Sequence, residues 1–571
     1  MILTEDALNI ARKRYFINED ESWEECCKRV ARFAASAEAP DKVSYWAEKF
    51  AEMIYDLKFI PGGRILRNAG RLKGSVFNCY VLPVEDDIQS IGDLLKNSLI
   101  IWSEGGGVGV NFSPLRPKGA VLKTKEGNSS GLVSFISVLD AAARVIKVGG
   151  QRRAACIAIV KSSHPEIEAF IDAKLKDDIL SCFNISVSVD QDFLNAVEKG
   201  NGTKWDLKFG GQNWGSVDAK KLWHKIVSNM IKNAEPGLIN EQNLAKNNSY
   251  YFNPIIATNP CGELGLGSWE ACDLGSLVLP NFVKQRNTDL AGLAETIETA
   301  VRFLDNVIDV NYYSIFEIEN KVKLGRRVGL GTMGLADYLF KKELRYGGAR
   351  AINEVERLYK FIRDKAYEAS VKLAIEKGVF PKFDKIMYSQ SSFIRKLPVA
   401  LRRSIKDHGT RNVTLLTQPP TGTTSLVPGV TSGIEPLFSK AYKRTDNIGE
   451  RVYIHPIFNE IGDEEIPEWF VDSFDLTPTD HFETQAAVQR STDGAVSKTI
   501  NLPKETTVET LNDLLLEYIW DLKGVTVYRD GSRKGQVQIP LDKKEIKVYI
   551  DKGTNSLSEE DVECVSEVCD V

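Results

Sequence analysis

Cysteine is scarce in this chain, nine residues in 571. That is too few for a disulfide scaffold, so the cysteines should be free thiols unless they do redox work. No run approaches the ~20 apolar residues a membrane-spanning helix needs. The opening MILTEDALNIARKRYF mixes charges into its first apolar stretch. It has neither an apolar core nor a small-residue cleavage site, so no secretory signal is read, and a cytoplasmic location is expected. Concentrated basic stripes are missing too, and the net charge is −5. This excludes nucleic acid as a partner, because phosphate backbones need clustered Lys and Arg. Nucleotides stay open, since a few backbone N–H groups and one or two cations can hold a diphosphate. The Gly-rich Glu104–Gly109 lacks a following Gly-Lys-Ser/Thr and is no Walker loop; a tight turn needing small residues explains it equally well. No internal repeat is found.

Hydrophobic residues make up 43% and charged residues 26%, the balance of a globular protein. Residues 1–57 read as a helical N-terminal region, with apolar residues near 3.6 spacing in Trp23–Ala34 and Val43–Leu57. From 58 onward, breakers such as Pro61-Gly62-Gly63 separate short apolar runs. Strands are expected at Ile157–Val160, Phe183–Val189 and Val413–Leu416, and helices at Leu293–Val310 and Ala351–Lys377. Such alternation over hundreds of residues argues for an α/β architecture, barrel or open sheet. Residues 58–535 are read as that α/β unit. Residues 536–571 read as a flexible tail, acidic and poor in aromatics, that nonetheless carries Cys564 and Cys569.

Chemistry concentrates in Asn259-Pro260-Cys261-Gly262-Glu263. Asn before Pro favours an extended backbone and Gly after Cys permits a sharp turn, so the loop presents its thiol. A turn with a merely buried Cys is the plain alternative. Cys272 and the Cys564/Cys569 pair raise the case for dithiol exchange; zinc normally takes four ligands, and the tail offers two with no His nearby. Thr421-Gly422-Thr423-Thr424 follows an apolar run. Its hydroxyls around a Gly suit an anion, more so if a helix begins there; an ordinary Ser/Thr-rich loop is the alternative.

These elements together resemble the catalytic chains of ribonucleotide reductases. The likeness extends through FIPGGRILRNAG, NCYVLPVED, GGGVGVNFSPLRPKG, SSGLVSFISVLD, VGGQRRAAC, HPEIEAFI, FNISVSV, VGLGTMGLADYL and GIEPLFSKAYKR, over roughly residues 55 to 535. GAVSKTINLP followed by GVTVYRDGSR resembles the adenosylcobalamin-dependent class. The alternative class, with a separate metal-radical subunit, usually shows adjacent tyrosines near its C-terminus, whereas Tyr528 stands alone. A regulator without catalysis would not need the whole set of reactive residues, and a generic thiol oxidoreductase would not need the Thr-rich loop.

The resemblance implies a ten-stranded α/β barrel with a central finger loop carrying Cys261 as the thiyl-radical residue. Adenosylcobalamin is the implied cofactor, although no His-containing motif marks a cobalt ligand and no metal-binding residues are singled out. Cys261 would abstract the ribose 3′ hydrogen, Glu263 act as general base on the 3′-hydroxyl, and Asn259 hold the sugar. Cys79 and Cys272 match the pair that reduces the substrate and ends as a disulfide, which Cys564 and Cys569 would then reduce. Asn78 and Thr421, Gly422, Thr423 and Thr424 match substrate-binding positions, leaning toward diphosphates over triphosphates. Lys123–Ser134 and Val148–Cys156 match effector loops, with Asp140, Arg144 and Arg153 as effector-binding candidates. The implied partners are a ribonucleotide substrate, deoxynucleotide effectors, a thioredoxin-like reductant and a second copy of the chain, packed through a Ser134–Val148 helix. The N-terminal ATP-binding module of many relatives has no counterpart, so specificity control is expected without overall on/off control. Cys26, Cys27, Cys156 and Cys182 are read as packing residues.

Overall fold

The computed structural model describes residues 3–122, 126–148, 152–175, 179–246, 248–446, 449–457, 466–532 and 538–540. Three helices lead: α1 (Glu5–Arg14), α2 (Trp23–Ala35) and α3 (Val43–Tyr55). Helix α2 starts at Ser22, whose hydroxyl accepts from the Glu25 N–H while the Glu25 carboxylate accepts from the Ser22 N–H, a reciprocal cap that fixes the first turn. Its Val30, Ala31 and Ala34 are fully buried. Glu38, in the α2–α3 connection, accepts hydrogen bonds from Arg302 (3.0 Å), Lys377 (2.8 Å) and Asn306 (2.8 Å). Those partners lie on the long helices Leu290–Val310 and Ala349–Lys377, so the leading helices are docked by a buried charge as well as by apolar packing.

Thirteen strands position the site: β1 (Phe59–Pro61), β2 (Cys79–Val81), β3 (Gly107–Asn111), β4 (Cys156–Lys161), β5 (Phe183–Val189), β6 (Gly237–Asn240), β7 (Ile255–Thr258), β8 (Gly265–Gly267), β9 (Glu270–Cys272), β10 (Leu274–Val278), β11 (Gly329–Met333), β12 (Thr499–Leu502) and β13 (Gly524–Arg529). An eight-stranded sheet has the order β9-β2-β3-β4-β5-β6-β13-β12, and a three-stranded sheet the order β1-β10-β11. Strands β2 to β6 are mutually parallel, while β9 on β2 and β13 on β6 are antiparallel. Only Asp273 separates β9 from β10. At 413–416, where a strand was expected, no regular strand forms; the segment is tied to its neighbours by two isolated parallel bridges, Leu330 to Leu416 and Gln418 to Val496.

Parallel strands covered on both faces carry apolar residues on both. On β4, Cys156, Ala158 and Val160 face the main core, and Ile157 and Ile159 face a second, smaller cluster. The latter also holds Val81, Ala257, Leu264, Leu266, Cys79 and Cys272, so it lies around the β7–β8 hairpin. The helices expected at Leu293–Val310 and Ala351–Lys377 are present with slightly earlier starts, and the strand expected at Phe183–Val189 has those bounds.

Candidate active site

The β7–β8 hairpin is built by its own first residue. Asn259 N–H donates to the Leu264 carbonyl (3.1 Å), its side-chain oxygen accepts from Leu264 N–H (3.0 Å), and its carbonyl accepts from Gly262 N–H (2.9 Å). Gly262 takes φ +79°, the left-handed turn foreseen after Cys261. The hairpin then presses on β3: a Cβ on Gly109 would lie 1.7 Å from the Thr258 carbonyl oxygen, and one on Gly107 2.9 Å from the Pro260 ring. This explains Gly107 and Gly109 of the Gly-rich motif, which serve close backbone approach. Asn184 on β5 donates to the Pro260 carbonyl (3.3 Å), and the Glu263 carbonyl accepts from Thr417 Oγ1 (2.6 Å) and Ala495 N–H (2.7 Å). Both strand groups therefore hold the tip.

Cys79 and Cys272 are directly opposed across the β2–β9 pair. Opposed antiparallel residues have Cα atoms about 4.5–5.5 Å apart, within the roughly 4.4–6.8 Å a disulfide spans. Both are free thiols here and buried, which pushes their pKa values well above the ordinary thiol range. Asn259 Nδ2 donates to Cys79 Sγ (3.1 Å), and the Cys79 thiol points at Glu263 Oε1 (3.7 Å) across 184 residues of sequence. Cys261 is only partly buried.

Glu263 is 1% exposed, and burial raises its carboxyl from 4.5 to about 7. Its Oε2 has no hydrogen-bond partner, and neither has the buried Asn78 Oδ1. Buried polar atoms are rarely left so, and both residues border one cleft. That cleft, about 530 Å³ with its open mouth, is lined by Asn78, Cys79, Cys261 and Glu263 on one side and by Pro419 to Thr424 on another.

Within the hydroxyl loop, Thr421 has φ +53° and its Oγ1 accepts from Gly433 N–H (2.8 Å). The helix considered after it is a three-residue 3₁₀ turn, Thr424–Leu426, too short for a helix dipole to matter. The loop's own N–H groups and hydroxyls are what remain for an anion. Gly422 and Gly262 both have open space where a Cβ would stand.

Asp140 and Arg144 are brought together away from this cleft. Arg144 Nε donates to Asp140 Oδ2 (2.8 Å), and Asp140 Oδ1 accepts from Cys182 N–H (2.8 Å). Arg153 lies in the two-residue strand Arg152–Arg153, paired with Lys147–Val148; its side chain lies outside the described residues, as do Cys564 and Cys569. Cys26, Cys27, Cys156 and Cys182 are buried in the main core. Asn184 and Thr417, which hold the tip, escaped the sequence reading. Their roles depend on contacts 76 and 154 residues away, although both stand within or beside motifs that had been noted.

Among the described residues no helix is long and apolar enough to cross a membrane. Residues 77–528 match the family model of the ribonucleotide reductase barrel domain, and residues 2–74 that of the ribonucleotide reductase all-alpha domain. The likeness thus reaches further toward the N-terminus than the motifs had indicated. A vitamin B12-dependent ribonucleoside-diphosphate reductase of Mycobacterium tuberculosis (strain CDC 1551 / Oshkosh) is 36% identical over 569 residues, 93% of this chain and 80% of that one. One of the same description from Thermoplasma acidophilum is 36% identical over 530 residues, covering 86% and 66%. The ribonucleoside-diphosphate reductase subunit alpha of Chlamydia muridarum is 26% identical over 499 residues, covering 76% and 48%. With a family model spanning most of its length and such relatives along nearly all of it, the chain belongs to the ribonucleotide reductase family.

Proposed function

We propose that this chain reduces ribonucleoside diphosphates to 2′-deoxyribonucleotides with adenosylcobalamin as cofactor. The observation that carries the reading is the convergence of three cysteines, Asn259 and an uncompensated Glu263 on the cleft and the strand behind it. The relatives described as vitamin B12-dependent support the cofactor. The residues fit it: Cys261 is the least buried thiol of the set, and Gly262, next to it in the chain, and Gly422, on the same cleft, present backbone with open space above. These two would lie against the bound group. When bound, adenosylcobalamin supplies homolysis of its cobalt–carbon bond as the one-electron oxidant of the Cys261 thiol.

In this reading the Cys261 sulfur radical takes the 3′ hydrogen of the ribose. Glu263, a base poised near neutrality, accepts the 3′-hydroxyl proton. One thiol proton of the Cys79/Cys272 pair leaves with the 2′-hydroxyl as water, and the other thiol hydrogen goes to C2′. The pair, having given up two electrons, closes to a disulfide while Glu263 hands its proton back to the 3′-oxygen. Cys261 then returns its hydrogen to C3′. Asn78 Oδ1 is a free acceptor for a sugar hydroxyl, and residues 421–424 offer N–H donors to the diphosphate.

A ten-stranded closed barrel with the β7–β8 hairpin as its finger is part of the proposal. Five parallel strands β2–β6 on one side, and β10, β11, 413–418, β12 and β13 on the other, with the two single bridges and the Asp273 junction, support it. So are a helical region 1–57, a barrel 58–535 and a redox tail 536–571, a cytoplasmic homodimer, deoxynucleotide effectors near Asp140, Arg144 and Arg153, and a thioredoxin-like reductant. Val138 and Val145, exposed on the helix Leu132–Val145, support the self-association.

The test is to incubate the purified chain with a ribonucleoside diphosphate, dithiothreitol and adenosylcobalamin, with no second protein. Deoxynucleotide that requires both the cofactor and Cys261, judged with Cys261→Ala, is expected. Cofactor-independent product, or product from Cys261→Ala, would contradict the reading.

A further inference from the structure

The two members of the reducing pair are not equivalent. Cys79 lines the cleft, whereas Cys272, at 0% exposure, stands behind it. The Cys272 thiol donates to the Asp273 carbonyl (3.1 Å) and lies 4.0 Å from the Arg327 carbonyl. Arg327 is itself buried, 3% exposed at the side chain, and its Nε and Nη2 have no hydrogen-bond partner. The nearest carboxylate, Glu270, stands 3.7 Å away, beyond hydrogen-bond distance, with its Oε2 occupied by Gly267 N–H (2.6 Å). Glu270 and Cys272 are two apart on β9 and so share a face; the guanidinium, stacked 4.7 Å over the Tyr250 ring and 3.7 Å from Glu270, is close enough to act electrostatically on the Cys272 thiol. Glu270 already answers the charge of this buried guanidinium from 3.7 Å, but Nε and Nη2 still lack hydrogen-bond acceptors, a deficit that a second anion forming beside it during the working cycle would fill.

We propose that Cys79 is the sulfur attacked when the Cys79–Cys272 disulfide is reopened, and that Arg327 is the positioning residue that receives the departing Cys272 thiolate. This rests on the reading of these two cysteines as the reducing pair. The thiolate of an external dithiol gives its electron pair to Cys79 Sγ. The Cys79–Cys272 bond breaks with its pair on Cys272, and a mixed disulfide joins the reductant to Cys79. The reductant's second thiol then attacks its own sulfur in that mixed disulfide, releasing Cys79 and leaving the reductant as a cyclic disulfide. The two protons of the dithiol end on Cys79 and Cys272. Exchange is faster when the leaving thiolate is better stabilised, which is the role a guanidinium short of hydrogen-bond acceptors can fill and the buried site otherwise denies.

The experiment begins with the full chain carrying Cys564→Ser and Cys569→Ser, so that the tail cannot exchange, oxidised by a single turnover without reductant, and the Cys79–Cys272 link confirmed by non-reducing peptide mapping. Absence of that link would overturn the reducing pair itself, and with it this proposal's footing. The oxidised chain is then treated with 2-mercaptoethanol, quenched in acid and alkylated with iodoacetamide. Mercaptoethanol on Cys79 and the alkyl group on Cys272 are expected; mercaptoethanol on Cys272, alone or in equal share, would overturn the order of attack. Arg327→Gln should slow adduct formation about tenfold, as a leaving thiol of higher pKa would, and Arg327→Lys should recover most of the rate. An unchanged rate in Arg327→Gln, or no recovery with Lys, would remove Arg327 from the step. If Arg327→Gln does not fold, the double variant with Glu270→Gln removes both buried charges together and must show the same slowing.

Discussion

Two buried polar regions of this molecule are made of similar groups and differ in one respect. The Asp305 carboxylate is fully answered. Its Oδ1 accepts from Arg326 Nε (2.9 Å) and Asn412 Nδ2 (2.9 Å), and its Oδ2 accepts from Arg411 Nε (3.1 Å). Arg326 also reaches Asp309 (2.7 Å). Burial alone would raise the Asp305 carboxyl, yet the two guanidinium groups outweigh it and hold the pKa below the ordinary carboxylate value. Around Glu263 the arrangement is reversed. An equally buried carboxylate has no cation, one oxygen without a partner, and a pKa pushed up to about 7. The first region ties the helix Leu290–Val310 to the segments at 326 and 411–412. The second leaves hydrogen-bonding capacity open toward a cleft, which is what a substrate with hydroxyl groups requires. Partner satisfaction, and not burial, separates these two carboxylates.

That contrast predicts opposite responses to matched substitutions. Glu263→Gln should lower turnover by about 10²–10⁴-fold, the range for loss of a general base, with the thermal midpoint unchanged or raised. A falling midpoint with retained turnover would reverse the assignment. Asp305→Asn should cost about 3–5 kcal/mol of stability in chemical denaturation, because it strands buried arginines. Whatever fraction stays folded should turn over nearly normally. Gly109→Ala, whose methyl would meet the Thr258 carbonyl, should cost about 1–3 kcal/mol by overpacking. It should also depress turnover, since the displaced segment is the one that presents Cys261.

The smallest effect is on pH. Glu263 is neutral below about 7, so kcat/KM should rise with pH through that value, and Glu263→Gln should abolish this limb. The linked stability has the opposite sign. The folded chain holds this proton more tightly than the unfolded one, so the contribution is complete below 4.5 and lost as pH rises to about 7. Denaturation midpoints across that window should show the decline in the parent and lack it in Glu263→Gln.

The sequence made part of this contrast legible. Asn-Pro-Cys-Gly-Glu announced a loop that presents its thiol, because Pro, Gly and the short-range caps of Asn259 act within five residues. The α/β alternation and the long helices were legible from periodicity, as was the hydroxyl loop as a candidate anion site. The opposition of Cys79 and Cys272 was not, since strand register across nearly two hundred residues leaves no local trace and came only through the family resemblance. Gly107 and Gly109 looked like a tight turn or a phosphate cradle, because nothing nearby in sequence reveals the hairpin pressing on them. Arg327, directly before VGLGTMGLADYL, was overlooked for the same reason: an arginine's missing partners are visible only in three dimensions. A regular strand was foreseen at 413–416, yet the segment is joined to its neighbours by single bridges rather than by a continuous ladder.

The central claim is that the underpaired cleft reduces a ribonucleotide with electrons drawn from Cys79 and Cys272. Prereduced chain, freed of small thiols, should be mixed with adenosylcobalamin and a ribonucleoside diphosphate and quenched after one turnover. Deoxynucleotide and peptide disulfides are then counted together, with Cys564→Ser/Cys569→Ser as the background so that the tail cannot exchange. The account predicts one deoxynucleotide per active chain and an equal amount of the Cys79–Cys272 disulfide. Deoxynucleotide formed while both thiols remain free would contradict it.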